Sequence, residues 1–324
     1  MDTVVRTRDL HKHYGAVHAL DGLDLTVDAG QIHGFLGPNG AGKSTAIRIL
    51  LGLARATAGE ASVLGMHPWN DAVAVHARLA SVPGDVSVWP NLSGGEAIDV
   101  LARLRGADTS STGYREERAR LLDAFGFDPR KKGRAYSKGN RQKVALIAAF
   151  AVPADLYVLD EPTSGLDPLM EVVFQRELRR VRDAGATVLL SSHILSEVEQ
   201  VCDRVSIIRA GRIVESGTLA DLRHLTRTEV SFAVNGEAPA ALPGVHDLEV
   251  VDGRARFSVD SDQVAGILPG LAAQNVQGLR VAPPSLEELF LRHYGDDTGE
   301  SGEPVVSAGA PSSRREARRT GRRS

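Results

Sequence analysis

Gly37-Pro38-Asn39-Gly40-Ala41-Gly42-Lys43-Ser44-Thr45 constrains this chain more than any other stretch. It fits the pattern G-x-x-x-x-G-K-[ST], and its flanks make the fit credible. Ile32 to Leu36, just before it, is a short apolar run suited to a buried strand. Ala46-Ile47-Arg48-Ile49-Leu50-Leu51, just after it, continues as a helix. Glycines let the backbone bend until several N–H groups converge on an anion, and the helix N-terminus adds a favourable dipole. Lys43 is then placed to reach the β- and γ-phosphates of a nucleoside triphosphate, and Ser44 to set its hydroxyl on Mg²⁺. A glycine-rich turn with no ligand needs neither the Lys-Ser pair nor the strand and helix around it.

The 324 residues suffice for a sizeable core and for two domains. A formal net charge of −3 implies no general attraction to nucleic acid. Cys202 is the only cysteine, so no disulfide framework or cysteine metal site is expected, and a reducing compartment is favoured. It reads as a packed residue near a helix end. The start, Met1-Asp2-Thr3-Val4, lacks the charged and apolar regions of a signal peptide, and no apolar run approaches the length of a membrane span. Work at a membrane would have to pass through a partner.

The spacing predicts strands over Val4–Leu10 and Leu23–Val27, the second with Leu23, Leu25 and Val27 on one face. Further strands are expected over Ala61–Leu64 and Ala80–Pro83, and helices over Ala72–Leu79, Glu96–Arg105 and Tyr114–Phe125. The last two suggest a helical insert over about 86–143. Leu156–Leu159 and Thr187–Leu190 are continuous apolar runs suited to parallel strands, the first a neighbour of the phosphate-loop strand. A helix is expected after the loop Ser164–Pro168, through about Arg182, another over Ser196–Cys202, and a hairpin around Ala210-Gly211. The fold class that follows is α/β, doubly wound, with ligands at the carboxyl ends of the strands.

From about Leu225 the texture becomes that of a small α+β unit. It has strands over Val230–Val234, Leu248–Val251 and Ala255–Val259, a helix over Ser261–Gln274, and a capping box at Ser285 opening a last helix to about Tyr294. The expected organisation is residues 1–224, 225–294, and an arginine-rich tail, 295–324, too poor in apolar residues to fold. A solvated tail and a weak tether to a membrane surface or nucleic acid are both readings of that tail.

Two strand ends add chemistry to the phosphate loop. Asp160 closes an apolar strand and is placed to hold Mg²⁺; Glu161, next to it, is placed to orient and deprotonate an attacking water. His193 ends another strand after two serines, a placement suited to a γ-phosphate. Tyr14, upstream, is an aromatic that could stack on a base.

Taken together, these residues resemble the nucleotide-binding subunit of an ATP-binding-cassette (ABC) transporter. The resemblance covers about Val4 to Gly217, with a P-loop core, an antiparallel β subdomain and a helical insert as the implied fold. Tyr14 matches the adenine-stacking position and Gly37 to Thr45 the phosphate loop. Tyr136-Ser137-Lys138-Gly139-Asn140-Arg141-Gln142 matches the signature, with Lys138 where glycine is usual and Asn140 where glutamine is usual. Glu161 matches the catalytic base, Ser164 to Asp167 the loop that crosses to the partner, and His193 the switch histidine. Leu92-Ser93-Gly94-Gly95-Glu96 looks more like the signature but comes too early, and reads as a turn with a helix start. The Tyr-Ser-Lys-Gly form, the appended C-terminal unit and Pro284 to Phe290 resemble the drug and antibiotic exporters.

The resemblance implies ATP as substrate and Mg²⁺ as cofactor. It also implies a second nucleotide-binding subunit, as a homodimer, whose ATP is closed over by Ser137 and Gly139, and a separate transmembrane permease docking near Trp89. No specific nucleic acid partner is expected, and contact with the membrane is indirect, at the cytoplasmic face of the cell membrane. A soluble ABC-type ATPase in regulation, translation or DNA repair is the alternative. One departure stands out: Gly84 occupies the place of a glutamine that touches Mg²⁺. Asp85, the next residue, or a water is the candidate substitute.

Overall fold

A computed structural model describes residues 2–224, 228–234, 244–251, 253–260, 263–274 and 276–282. The expected last helix and the arginine-rich tail lie outside the described residues. In chain order the elements are β1 (Thr3–Tyr14), β2 (Val17–Leu23), β3 (Thr26–Asp28), β4 (Ile32–Leu36), α1 (Lys43–Leu50), β5 (Ala58–Val63), α2 (Ala72–Arg78) and β6 (Leu79–Val82). Then come α3 (Gly94–Leu104), α4 (Thr112–Ala124), α5 (Lys138–Phe150), β7 (Leu156–Asp160), α6 (Pro168–Asp183), β8 (Thr187–Ser192), α7 (Leu195–Val201), β9 (Arg204–Arg209), β10 (Arg212–Thr218) and α8 (Leu219–His224). The remainder is β11 (Thr228–Ala233), β12 (Val245–Val251), β13 (Arg254–Val259), α9 (Val264–Ala273) and β14 (Gln277–Ala282).

The central sheet has the order β10-β9-β4-β8-β7-β6, parallel except for the β10 edge. All of β4, β7 and β8 is buried, which is why these strands read as continuous apolar runs. Ile32 and Leu36 pack with the helices of the insert side, whereas Phe35 joins the core under the first sheet. A Cβ on Gly34 would come within 2.6 Å of Val198, so glycine here lets α7 lie close against β4. The β7 strand is not the direct neighbour of the phosphate-loop strand: β8 lies between them. Both runs are apolar and buried, so composition alone does not order them.

The first sheet is antiparallel, β2-β1-β3 with β5 also on β1. The strand expected over Leu23–Val27 is broken instead. β2 ends at Leu23 and β3 starts at Thr26, because the chain turns to hydrogen-bond Leu25 to Thr7 on both sides. The alternation still held for burial, with Leu23, Leu25 and Val27 all in the core. The insert carries α3, α4 and the start of α5. Ser93 caps α3 in a full capping box with Glu96, which explains the early signature-like stretch as a helix start. The insert is tied to the main body by four charged side chains: Arg120 of α4 binds Glu177 of α6 at 2.6 Å, and Arg180 of α6 binds both Glu177 and Glu117 of α4.

The third sheet, β12-β13-β11-β14, packs Val230, Phe232, Phe257 and Val259 beneath Ile267 and Leu271 of α9. The β14 strand was not expected; its Gln277-Gly278-Leu279-Arg280 lacks the alternation that marks the other strands, and all its residues are exposed.

Candidate nucleotide site

The phosphate loop leaves the end of β4 and enters α1. Gly40 and Gly42 take positive φ, 86° and 111°, where a side chain is strained. A Cβ on Gly42 would meet the Ala19 carbonyl at 2.6 Å, and one on Gly37 the Ile208 carbonyl at 2.5 Å. Gly40 faces open space instead. The loop is thus packed on its back and clear at its tip. Pro38 accepts a bond from the Ala41 N–H, and Asn39 is exposed beside it. Lys43 is buried, and its Nζ donates to the carbonyls of Gly37 at 2.6 Å and Pro38 at 3.2 Å. Burial lowers the Lys43 pKa, while Glu161 and Asp160 pull the other way. Ser44 is exposed and Thr45 half-buried at the start of α1.

The ends of β7 and β8 complete one wall. Ser191 Oγ donates to Asp160 Oδ1 at 2.5 Å, and the Glu161 N–H donates to Ser191 Oγ at 3.1 Å. Glu161 adopts φ 46°, a left-handed conformation uncommon for a residue with a side chain. That turn brings its Oε1 to 3.8 Å from Lys43 Nζ and 3.2 Å from His193 Nδ1. Lys43, at the start of α1, and His193, after the end of β8, therefore meet at the Glu161 carboxylate.

Gly84 lies against this wall. A Cβ there would sit 3.5 Å from Asp160 Oδ2, an ordinary contact. Asp85 is exposed and makes no hydrogen bond or ion pair among the described residues. Tyr14 is half exposed at the end of β1 with Lys12 Nζ 4.8 Å from its ring centre. The Asp160 carboxylate and the Ser44 hydroxyl are oxygen donors, the kind that suits a hard divalent cation.

The signature segment packs on the loop that follows Glu161. Ser137 caps α5 by accepting from the Asn140 N–H, and Asp167 caps α6 by accepting from the Met170 N–H. Lys138 Nζ donates to Ser164 Oγ at 2.6 Å. Gln142, fully buried, donates to the Pro162 carbonyl at 2.8 Å. A Cβ on Gly139 would meet the Gly165 carbonyl at 2.3 Å. Sequence reasoning missed Ser191 as the brace of Asp160. It also missed Glu197, which accepts from Thr163 Oγ1 and Ser192 Oγ and whose pKa burial raises. Its position four residues after His193, on the buried side of α7, was the available signal.

Residues 20–164 match the family described as ABC transporter. The chain is 35% identical over 312 residues to the daunorubicin resistance ATP-binding protein DrrA3 of Streptomyces coeruleorubidus, covering 91% of this chain and 97% of that one. The chain belongs to that family. This ABC ATPase subunit is also 31% identical over 320 residues to the bacitracin transport ATP-binding protein BcrA of Bacillus licheniformis, covering 92% and 99% of the two chains. A solved ATP-binding subunit of an ABC transporter superposes with a TM-score of 0.64 at 32% identity, over 69% of this chain and 93% of that one. A dimeric ATP-binding cassette, solved in a post-hydrolysis state with ADP and Pi, shares the fold with a TM-score of 0.61 at 21% identity, over 66% and 98%. The protein is an ABC-type ATPase: it binds ATP and hydrolyses it. No support was found for the alternative of a soluble regulatory, translation or repair ATPase. Among the described residues no helix is long and apolar enough to cross a membrane.

Proposed function

We propose that this subunit energises export of a drug, antibiotic or lipid-like compound through a separate membrane-spanning chain, working as one half of a head-to-tail pair. The observation that carries the reading is the meeting of Lys43 and His193 at the Glu161 carboxylate. Glu161 acts as the base that orients and deprotonates water. Lys43 offsets charge on the β- and γ-phosphates, and His193 holds the γ-phosphate. Gly37, Pro38, Asn39, Gly40, Ala41, Gly42 and Thr45 contribute backbone around the phosphates, and Tyr14 stacks on adenine. Asp160 and Ser44 would hold Mg²⁺, which supplies positive charge to the phosphates; Asp85 takes the place left by Gly84.

Ser137 and Gly139 take no part in the contacts that join Lys43, Glu161 and His193; Gly139 packs on Gly165 and Lys138 bonds Ser164 instead, which suits the signature to ATP held by a second copy rather than its own. A two-fold pair then has two equivalent sites. Asp167 lies on the loop that faces the partner. Trp89 is 47% exposed, and Val86 and Ser87 of the same segment line a groove with Pro83 and Leu101, which supports a docking role for Asp85 to Asn91. The exporter reading is supported by the names of the relatives, which transport bacitracin or confer resistance to daunorubicin. A peripheral place on the cytoplasmic face of the membrane follows from it. The test is isolation from membranes with associated chains identified, followed by ATPase assay of the complex. Recovery with a polytopic partner supports the reading; recovery of active enzyme from the soluble fraction alone, with no such partner, overturns it.

A further inference from the structure

His11 and His13 are two apart on β1 and face the same side of the first sheet. Across the hairpin His11 pairs with Asp21 and His13 with His18. On a regular strand residues 18 and 21, three apart, would face opposite sides. The register shifts between Lys12 and His13, where the partners step from Leu20 to His18 and leave Ala19 as the extra residue. That bulge turns both side chains to the histidine face.

The result is a compact donor set. His11, His13 and Asp21 each offer one ligand atom, and the three atoms lie within 4.8 Å of one another. His11 Nδ1 is 3.5 Å from Asp21 Oδ1. Arg212 engages the other oxygen, Oδ2, through Nε at 3.1 Å and Nη2 at 2.7 Å, so Oδ1 is left toward the histidines. His11 Nε2 lies 2.9 Å from Asp9 Oδ1. A carboxylate on the outer nitrogen of an imidazole fixes its tautomer and makes the inner nitrogen a better donor, the usual arrangement behind a metal-binding histidine. His13 Nε2 is buried and has no hydrogen-bond partner among the described residues, an orphaned donor that protein contacts leave unexplained. Its ring is held by stacking on His18, with centroids 4.0 Å apart.

We propose that His11, His13 and Asp21 bind one divalent transition-metal ion of the nitrogen-preferring kind, such as Zn²⁺, with Asp9 as the outer carboxylate. Two imidazoles and one carboxylate form a ligand set common for zinc, with a further position left to water. The set does not suit Mg²⁺, which takes oxygen. It is therefore distinct from the Asp160 and Ser44 site. The ion would cross-link β1 to β2 one residue from Tyr14, bracing the end of the hairpin that carries the adenine-stacking side chain.

The experiment titrates Zn²⁺ into full-length, nucleotide-free protein against a chromophoric chelator, with Co²⁺ absorption as a second probe. One equivalent is expected to bind, with visible Co²⁺ bands of a low-coordinate site. His11→Gln and His13→Gln should each weaken Zn²⁺ binding about tenfold or more, and Asp9→Ala by about 10- to 100-fold. His246→Gln, in the third sheet, should leave it unchanged. Circular dichroism confirms that each variant is folded, and Zn²⁺ should raise the melting temperature of wild type but not of the doubly substituted His11/His13 protein. Failure to bind one equivalent, or binding that survives both histidine substitutions in folded protein, overturns the proposal.

Discussion

Lys138 Nζ donates a 2.6 Å hydrogen bond to Ser164 Oγ, joining the signature helix to the loop that opens α6 within one subunit. The lysine stands where the resemblance led us to expect glycine, and a glycine could not make this bond. A hydrogen bond of this kind contributes about 0.5–1.5 kcal/mol. Lys138→Met should lower ATP turnover by roughly threefold to tenfold, with the melting temperature nearly unchanged because the pair is exposed. Ser164→Ala should do the same. If the bond is the cause, the double variant loses no more than either single one in a double-mutant cycle.

Glu161→Gln keeps the shape of the side chain and removes the carboxylate proposed as the base. Steady-state hydrolysis should fall by about 10²- to 10⁴-fold. ATP binding should persist, and in excess Mg-ATP the variant should elute from a sizing column as a dimer. Wild-type turnover in the variant would remove Glu161 from the role of base.

Position 84 has room for a side chain, because the three atoms nearest an added Cβ all belong to Asp160, at 3.4 to 3.6 Å. Gly84→Gln should therefore fold with a stability change within about 0.5 kcal/mol. The new amide should lower the Mg²⁺ concentration at half-maximal ATPase. Asp85→Ala should raise it. An unchanged Mg²⁺ requirement in Asp85→Ala would show that Asp85 does not substitute for the missing glutamine.

His33 makes stability depend on pH. It is fully buried in β4, and burial lowers its pKa from 6.5 to about 4. Its Nε2 meets Ser206 Oγ at 2.8 Å, and Gln31 lies at Nδ1. Between pH 6.5 and 4 the unfolded chain takes up a proton at this residue and the folded chain does not. Stability is therefore complete above about 6.5 and is lost as pH falls toward 4, by about 3 kcal/mol for that shift. Urea unfolding across this range should show the loss in wild type, and His33→Gln should flatten the curve by about that amount.

The elements of the central sheet were legible because burial on both faces leaves a continuous apolar signature, as in Leu156–Leu159 and Thr187–Leu190. Their order was not, since nothing in two similar apolar runs says which lies beside β4. Motif spacing alone singled out Lys43, Glu161 and His193, which the fold brings together. The left-handed turn at Glu161 was invisible, because it arises from bonds to Ser191 on a neighbouring strand. So was the histidine and aspartate cluster, because a bulge at Ala19, not periodicity, brings Asp21 and His18 to one face. The β14 strand left no pattern because none of its residues is buried.

The ionic clasp of Glu117, Arg120, Glu177 and Arg180 makes α6 a push-rod. One end of the rod is gripped by the insert through Glu177, and the other begins at Asp167, ten residues or about 15 Å away. A helix barely compresses along its axis, so α6 gives the clasp a stiff covalent route to the Ser164–Asp167 loop. Because Arg120 and Arg180 are each more than a third exposed, salt loosens the grip at one end of that route without touching the rod itself.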